Sequence, residues 1–169
     1  MIDNIYMIVA MTKNTRAIGI DGDMLYHLKD DLRYFKETTL NHTIVCGRKT
    51  YSSFPKRPLP NRKNIILTRG NNHYDQAYTL HSKEDVVQYA LDHPDEKIFI
   101  CGGDNVYKQF MDIASRLYIT EIEEDEPVNA DSFFPYVDSS IWSKASESDY
   151  IIPEKAPCYK FIVYDRKNK

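Results

Sequence analysis

The stretch Ile98-Phe99-Ile100-Cys101-Gly102-Gly103-Asp104-Asn105-Val106-Tyr107 decides the fold class of this chain of 169 residues. Its first four residues are apolar and do not alternate with polar ones, which is typical of a strand covered on both faces. Two glycines and a helix start follow. The stretch Val45-Cys46-Gly47-Arg48-Lys49-Thr50 repeats this order. Buried strands that lead through glycine into helices indicate an α/β fold, in which ligands gather beyond the carboxyl ends of the strands.

The rest of the chain extends this pattern to a mostly parallel central sheet of about eight strands flanked by about four helices. The predicted strands are Ile5–Met11, Thr43–Cys46, Asn64–Thr68, Ala77–Leu80, Lys97–Cys101, Arg116–Ile122, Trp142–Ile151 and Cys158–Asp165. The predicted helices are Leu28–Thr39, Thr50–Phe54, Lys83–His93 and Asp104–Ala114. The last two strands have no helix between them and should form an antiparallel pair. We expect one domain over residues 1–169.

Composition and charge exclude several classes of function. A net charge of −3 argues against a general nucleic-acid binder, and no apolar stretch is long enough to span a membrane. The three cysteines are odd in number and far apart, which fits a reducing cytoplasmic compartment rather than a disulfide framework. The five histidines lack metal-binding spacing, so no metal site is expected. The acidic run Glu121–Glu126 is interpreted as a solvated loop, not as a calcium site.

Asp31 is the most informative candidate residue. The predicted helix Leu28–Thr39 has an apolar face with Leu28, Leu32 and Phe35, and at about 100° per residue Asp31 lies within it. A buried carboxylate is costly unless a partner compensates its charge. Because no lysine or arginine of this helix points the same way, the expected partner is a ligand. The alternative is a first-turn acid that the helix dipole favours.

The two glycine turns also have a functional and a plain interpretation. Glycine lets backbone N–H groups approach an anion, and a helix N-terminus attracts it. A glycine pair between a strand and a helix is otherwise only a tight turn. Two such turns, with Arg48, Lys49 and Arg69 near strand ends, favour a ligand with more than one phosphate.

The segment Thr12–Met24 joins the first strand to the Asp31 helix. It is long for a connection in a compact domain and contains two glycines. Segments of this kind are lids, binding loops or disordered linkers, and a lid beside Asp31 is the functional alternative.

Taken together, these motifs resemble the dihydrofolate reductase family over about Ile5 to Tyr136. The motifs, in order, are Ile18-Gly19 with Met24, Asp31-Leu32-x-x-Phe35-Lys36-x-x-Thr39, Gly47-Arg48-Lys49-Thr50, Arg57-Pro58-Leu59-Pro60-x-Arg62-x-Asn64-Ile65-Ile66-Leu67-Thr68, Gly102-Gly103-x-x-Val106-Tyr107, Leu117-Tyr118-Ile119-Thr120 and Asp131-x-x-Phe134-Pro135. The resemblance implies NADPH-dependent reduction of 7,8-dihydrofolate to tetrahydrofolate, which supplies one-carbon metabolism and thymidylate synthesis. It also implies that antifolate inhibitors bind. We expect a monomer.

The resemblance places the substrate on named residues. Asp31 would receive the 2-amino group and a ring N–H of the pterin, supported by Thr120. Arg62 would pair with the α-carboxylate of the glutamate tail. Its plain interpretation is a solvated loop arginine. Apolar walls and further substrate contacts are expected from Ile8, Val9, Leu32, Phe35, Phe54, Leu59, Cys101 and Tyr107.

The resemblance places the cofactor across the glycine turns. Gly102 and Gly103 resemble the cis-peptide pair of the family, and Lys49 and Arg69 are expected to meet the 2′-phosphate of NADPH. Ala10 and the lid would line the nicotinamide. The full set of expected cofactor-binding residues is Ala10, Ile18, Gly19, Gly47, Arg48, Lys49, Thr50, Leu67, Thr68, Arg69, Cys101, Gly102, Gly103, Asn105, Val106 and Tyr107.

Catalysis would consist of hydride transfer to C6 of the pterin and delivery of a proton to N5. Asp31 is expected to anchor and polarise the ring, while water admitted by the Met24 loop delivers the proton. Tyr26 is the expected partner of an ordered water, because the chain has Leu25-Tyr26 where the family usually has Pro-Trp. Met24, Tyr26, Asp31 and Thr120 are therefore the candidate catalytic residues.

Two other functions remain open from the sequence. A reductase of the riboflavin-pathway type would share the fold and cofactor, but would bind a phosphate near Arg62 and would not need Asp31. A non-catalytic nucleotide-binding module would keep the glycine turns without turnover.

Overall fold

The computed structural model describes residues 1–168, which form eleven strands and four helices. The strands are β1 (Ile2–Thr12), β2 (Ala17–Ile20), β3 (Asp23–Met24), β4 (Thr43–Gly47), β5 (Lys63–Leu67), β6 (Tyr78–Leu80), β7 (Ile98–Ile100), β8 (Ala114–Ile122), β9 (Ser132–Phe133), β10 (Trp142–Glu147) and β11 (Tyr159–Arg166). The helices are α1 (Lys29–Thr39), α2 (Arg48–Ser53), α3 (Lys83–Asp92) and α4 (Asp104–Phe110). None of the helices in this part of the chain is long and apolar enough to cross a membrane.

The main sheet has eight strands in the order β10-β11-β8-β1-β7-β4-β5-β6. The six strands from β8 to β6 are parallel to their neighbours. At the other edge β11 is antiparallel to both β8 and β10. The predicted α/β class, the mostly parallel sheet and the antiparallel C-terminal pair are confirmed. Each of the eight predicted strands corresponds to a strand of this sheet.

Helices cover both faces of the sheet, as the buried apolar strands predicted. On β1 the side chain of Ile8 packs on the face covered by α1, in a cluster with Ile44 and Phe99. Its neighbours along the strand belong to the opposite face, with Val86 of α3 and Phe110 of α4. This division follows from the period of two along a strand.

Several predicted boundaries are wrong. Helix α2 begins at Arg48 rather than Thr50, because Gly47 is already its N-cap residue. Helix α4 ends at Phe110 rather than Ala114, since Ala114 begins β8. Strand β10 ends at Glu147, and Ile151 forms only an isolated bridge.

The segment Thr12–Met24 is not a continuous loop. It contains β2 and β3, which form a second sheet in the order β3-β2-β9. The sequence signal was weak because β3 and β9 have two residues each. We call residues 17–24 the lid segment.

Candidate functional site

Asp31 lies in the first turn of α1 and is 6% exposed. Its Oδ1 accepts a hydrogen bond of 2.6 Å from the hydroxyl of Thr120 on β8. Within residues 1–168 no lysine, arginine or histidine forms an ion pair with it. Burial raises the pKa of Asp31 above its ordinary value, and the Thr120 hydrogen bond opposes this shift only in part. The predicted burial of Asp31 is therefore confirmed.

An apolar wall adjoins this carboxylate on the α1 face of the sheet. Ile8 of β1 is at its centre, and Phe35, Phe54, Leu59 and Cys101 pack around it while remaining partly open. These five residues were predicted to contact the substrate, and the structure brings them into one cluster. A flat ring system beside Asp31 would contact this wall.

Val9 and Leu32 were both expected in the apolar wall, and the structure corrects the placement of Val9. The side chain of Val9 packs in the opposite core because it follows Ile8 on the same strand, so it does not line the apolar wall. Leu32 follows the buried Asp31 in α1 and is itself 44% exposed, so it does not belong to the core and stays a predicted substrate contact. The buried residues of α1 are Asp31 and Thr39, while its lysines, Arg33 and Glu37 are exposed.

Arg62 marks the other end of α1. Its Nη1 donates to the hydroxyl of Thr39 at 3.2 Å, and its Nε donates to the carbonyl of Pro60 at 2.9 Å. The guanidinium carbon is 6.0 Å from the centre of the Phe35 ring. Partial burial lowers the pKa of Arg62 from its ordinary value. No carboxylate pairs with it in the described part of the chain, so it is an oriented cation rather than a freely solvated one.

The two unpaired charges define a ligand with two different ends. Asp31 and Thr39 are eight positions apart on α1, which corresponds to about 12 Å along the helix axis. Arg62 contacts Thr39, so the cation and the anion lie at opposite ends of the apolar wall. This arrangement suits an elongated molecule with N–H donors at one end, an aromatic middle and a carboxylate at the other end.

The two glycine turns meet at the carboxyl edge of β4 and β7. The N–H of Gly47 donates to the carbonyl of Gly102 at 2.8 Å, and the Gly102–Gly103 peptide bond is cis, as the resemblance implied. A Cβ on Gly102 would lie 3.2 Å from the ring of Tyr107, and one on Gly47 would lie 3.3 Å from Val106. Side chains at these positions would fill the space between the turns.

Cations surround this edge without acidic partners. Arg48 and Lys49 follow β4, Arg69 follows β5, and all three are exposed. None forms an ion pair with another described residue. Thr50, Thr68 and Asn105 occupy the same edge. Unpaired cations beside two glycine turns fit a ligand with several phosphates.

Tyr107, Val106 and Leu67 are all buried in the larger core. The hydroxyl of Tyr107 donates to the backbone carbonyl of Ile8 at 2.7 Å. Tyr107 therefore links the cofactor turn to the apolar wall. Because the hydroxyl proton of Tyr107 is already donated to Ile8, its oxygen can only accept a hydrogen bond from a ligand.

The lid segment adjoins the two candidate sites through β1. Gly19 pairs with Met24 in the small sheet, and a Cβ on Gly19 would lie 2.6 Å from the carbonyl oxygen of Asp23. Met24 is 38% exposed at the lid tip. Ile18 packs against the larger core, while Tyr26 packs beside Ala10.

Two acidic residues escaped the sequence analysis as functional candidates. Asp131 accepts a hydrogen bond from the N–H of Asp21 at 3.0 Å, and its own N–H donates to the carbonyl of Gly19 at 3.0 Å. Glu124 is 8% exposed and is not part of a solvated loop. The interpretation of the acidic run as a solvated loop is wrong for Glu121 and Ile122, which belong to β8, and for Glu124, which the turn before β2 covers; Asp125 and Glu126 are exposed. In the sequence, the unusual length of the segment Thr12–Met24 was the signal that residues elsewhere in the chain hold it in place.

Across residues 1–168 there is no group of three histidine, cysteine or acidic side chains that could hold a metal ion.

Comparisons with known proteins agree on one family. The family model described as dihydrofolate reductase matches residues 4–166. The dihydrofolate reductase of Bacillus subtilis is 40% identical, covering 97% of this chain and 95% of that protein. The enzyme of Staphylococcus haemolyticus is 38% identical over 96% and 95%. The solved structure of dihydrofolate reductase from Enterococcus faecalis, complexed with NADP(H) and RAB-propyl, superposes with a TM-score of 0.85 and 32% identity, covering 97% of this chain and 96% of that one.

Proposed function

The chain belongs to the dihydrofolate reductase family, and from this premise we infer that it catalyses the NADPH-dependent reduction of 7,8-dihydrofolate to 5,6,7,8-tetrahydrofolate. The observation that carries the assignment to this site is the pair of unmatched charges, Asp31 and Arg62, at the two ends of one apolar wall. Tetrahydrofolate then serves one-carbon transfer and thymidylate synthesis.

Dihydrofolate matches the site from end to end. We assign the 2-amino group and ring N–H of the pterin to Asp31, with Thr120 holding the carboxylate from behind. The pterin and aminobenzoyl rings lie against the wall formed around Ile8. Arg62 binds the α-carboxylate of the glutamate, since a guanidinium can form two parallel hydrogen bonds to it. Antifolates with a similar donor edge would use the same residues.

The residues at the carboxyl edge of the sheet fit NADPH. The Gly47 and Gly102 turns leave a cradle that a Cβ would narrow. We assign the pyrophosphate to this cradle with Arg48 and Thr50, and the 2′-phosphate to Lys49 and Arg69. Ala10, Ile18 and Gly19 line the nicotinamide. When bound, NADPH supplies the hydride that C6 of the pterin receives.

The protein contributes orientation and the path of a proton. Asp31 anchors the pterin and polarises it toward protonation at N5. A water admitted beside Met24 delivers the proton, and we assign the hydroxyl of Tyr26 as the partner of that water. The apolar wall excludes other solvent, which strengthens the interaction between Asp31 and the ring.

We also propose that the protein acts as a monomer in the cytoplasm. Its three cysteines are free thiols, which suits a reducing compartment. Light scattering at micromolar concentration measures the molar mass in solution, which should be that of one chain, 19.8 kDa. Twice that mass would contradict the monomer.

One assay separates the candidate functions. NADPH oxidation is followed by absorbance with dihydrofolate, and in parallel with a phosphoribosylated aminopyrimidine. The proposal predicts consumption with dihydrofolate only. Consumption with the pyrimidine would favour the riboflavin-pathway reaction, and NADPH binding without consumption would favour the non-catalytic module. Both outcomes contradict the proposal.

A further inference from the structure

Glu124 is a buried carboxylate that the proposed reaction does not use. Its Oε1 accepts hydrogen bonds from the backbone N–H groups of Asn14 at 3.0 Å and Thr15 at 2.9 Å. Its Oε2 accepts a hydrogen bond of 2.6 Å from the hydroxyl of Thr15. In addition, the side-chain amide of Asn14 donates to the backbone carbonyl of Glu124 at 3.1 Å. Glu124, which follows β8, therefore holds the turn between β1 and β2 by itself.

Hydrogen bonds, rather than a salt bridge, stabilise the charge of Glu124. Burial acts to raise its pKa, but the hydrogen bonds from Thr15, Asn14 and the backbone of Val128 together lower it below the ordinary value. The nearby Lys13 pairs with Glu123 instead, at 3.4 Å. Four donors converge on the two acceptor oxygens of Glu124, three from the β1–β2 turn and one from the backbone of Val128.

The hydrogen bonds continue from this turn to the start of the lid segment. The hydroxyl of Thr15 donates to Glu124 and lies 3.0 Å from the hydroxyl of Thr12, which is completely buried. The Thr12 oxygen in turn accepts a hydrogen bond of 2.9 Å from the N–H of Ala17, the first residue of β2. Glu124 is thus connected to the base of the lid through hydrogen bonds that are partly or fully buried.

The tip of the lid has few such contacts. Asp21, Asp23 and Met24 are exposed, and Asp131 contributes the long-range hydrogen bond to Asp21. The base of the lid is therefore fixed, while its tip is open to solvent.

We propose that Glu124 is a positioning residue for the lid: by holding the turn of residues 13–16, it sets where Ile18 and Gly19 stand relative to the nicotinamide end of the cofactor. The proposal rests on the proposed function in that Ile18 and Gly19 are assigned to the nicotinamide. Glu124 itself is assigned no contact with substrate or cofactor. Its effect on the lid is transmitted through Thr15, Thr12 and Ala17.

The experiment compares two ligands that share the adenine end of the cofactor. NADPH reaches the lid, whereas adenosine 2′,5′-bisphosphate lacks the nicotinamide. In Glu124→Ala we expect the Kd of NADPH to rise about tenfold, because a displaced base misplaces the lid, while the Kd of the bisphosphate is unchanged. Glu124→Gln, which keeps one acceptor oxygen, should show a smaller rise.

Two further variants complete the design. Thr15→Val removes the hydroxyl that links Glu124 to Thr12, and should weaken NADPH alone even if Glu124→Ala does not fold. Asp125→Asn is the matched control, since Asp125 is the exposed neighbour of Glu124 and has no side-chain hydrogen bond in the described region. Its affinities should equal those of the unaltered protein. Amide exchange of residues 13–18 should accelerate in the first three variants, with the main sheet protected.

The experiment tests the role of Glu124 separately from the proposed reaction, because NADPH can bind whether or not dihydrofolate is reduced. A rise in Kd confined to NADPH supports the positioning role. Equal changes for both ligands, or none in any of the three variants, would show that Glu124 contributes only to general stability or to nothing measurable, and would overturn the proposal.

Discussion

At the scale of single residues, Asp31 combines a functional charge with a cost in stability. Burial raises its pKa in the folded state above the ordinary value of 3.8. The folded protein therefore favours the protonated carboxyl, and the ionised form destabilises the fold. This cost is absent below the ordinary pKa and appears as pH rises through the folded pKa.

The first prediction follows because ionisation of Asp31 lowers the stability of the fold as pH rises. Asp31→Asn removes the ionisable group, while the Thr120 hydroxyl can still donate to the amide oxygen at that position. We expect the Tm of the variant minus the Tm of the unaltered protein to increase from below about pH 4 to about pH 7. Calorimetry across this range measures the difference. A difference that is constant or shrinks with pH would contradict the raised pKa.

Arg62 gives the second prediction at this scale. Arg62→Gln should raise the KM for dihydrofolate about 10- to 100-fold and leave the Kd of NADPH unchanged, because the carboxylate at the tail loses a charged partner. A reduced pterin without the glutamate tail should be turned over equally by both proteins. Arg57→Gln in the same loop is the matched control, since Arg57 is exposed. An unchanged KM for dihydrofolate in Arg62→Gln would remove Arg62 from the site.

At the scale of elements, the strand–turn–helix units set the choice of cofactor. Strands β4 and β5 are parallel neighbours, so Lys49 and Arg69 emerge at the same edge of the sheet. Neither has an acidic partner among residues 1–168, and both are exposed. A dianionic 2′-phosphate would satisfy both.

The third prediction concerns this edge. Lys49→Gln and Arg69→Gln should each raise the KM for NADPH about tenfold and leave the KM for NADH unchanged, since only NADPH carries the 2′-phosphate. Steady-state kinetics with both cofactors give the ratio of the KM for NADPH to the KM for NADH in each variant. Lys155→Gln serves as the control, because Lys155 is an exposed lysine between β10 and β11. Parallel losses with both cofactors would contradict the assignment.

How far each element could be predicted from sequence depended on its length and on local signals. The buried strands Thr43–Gly47 and Ile98–Ile100 were recognisable because apolar runs between turns have few alternatives. The strand pair of the lid was not, since β2 has four residues and β3 only two, too few to show a periodicity. Asp31 stood out as a charge on an apolar arc. Glu124 did not, because its partners on the β1–β2 turn lie more than 100 positions away in sequence.

Val9 illustrates a different limit. The resemblance placed it in the substrate wall as a neighbour of Ile8, but adjacent residues on a strand face opposite sides of the sheet. Leu32 illustrates the reverse case: a helical period predicted its burial, yet 44% of it is exposed beside the site. Packing around a ligand cleft departs from the simple period because part of the helix faces the ligand rather than the core.

At the scale of the whole molecule, the first and the last strand of the chain both belong to the main sheet. Strand β1 pairs with β8, and β8 pairs with β11, which ends at Arg166. Trp142 of β10 is 3% exposed and packs in the larger core, with the Arg166 guanidinium 4.5 Å from its ring centre. The C-terminal edge is thereby integrated with the rest of the sheet.

The fourth prediction is a single cooperative unfolding transition, as expected for one domain. Trp142 is the one tryptophan of the chain, so its fluorescence reports on the C-terminal edge, while far-UV circular dichroism reports on all elements. Urea unfolding curves from the two probes should coincide. An earlier fluorescence transition would show that β10 and β11 unfold separately.

The most direct test of the whole account measures the kcat/KM for dihydrofolate of Asp31→Asn at saturating NADPH, together with the Kd of NADPH. If the pterin is the partner of the buried carboxylate, kcat/KM should fall by about 100-fold or more while the Kd of NADPH stays within about twofold. Undiminished turnover by this variant would contradict the account.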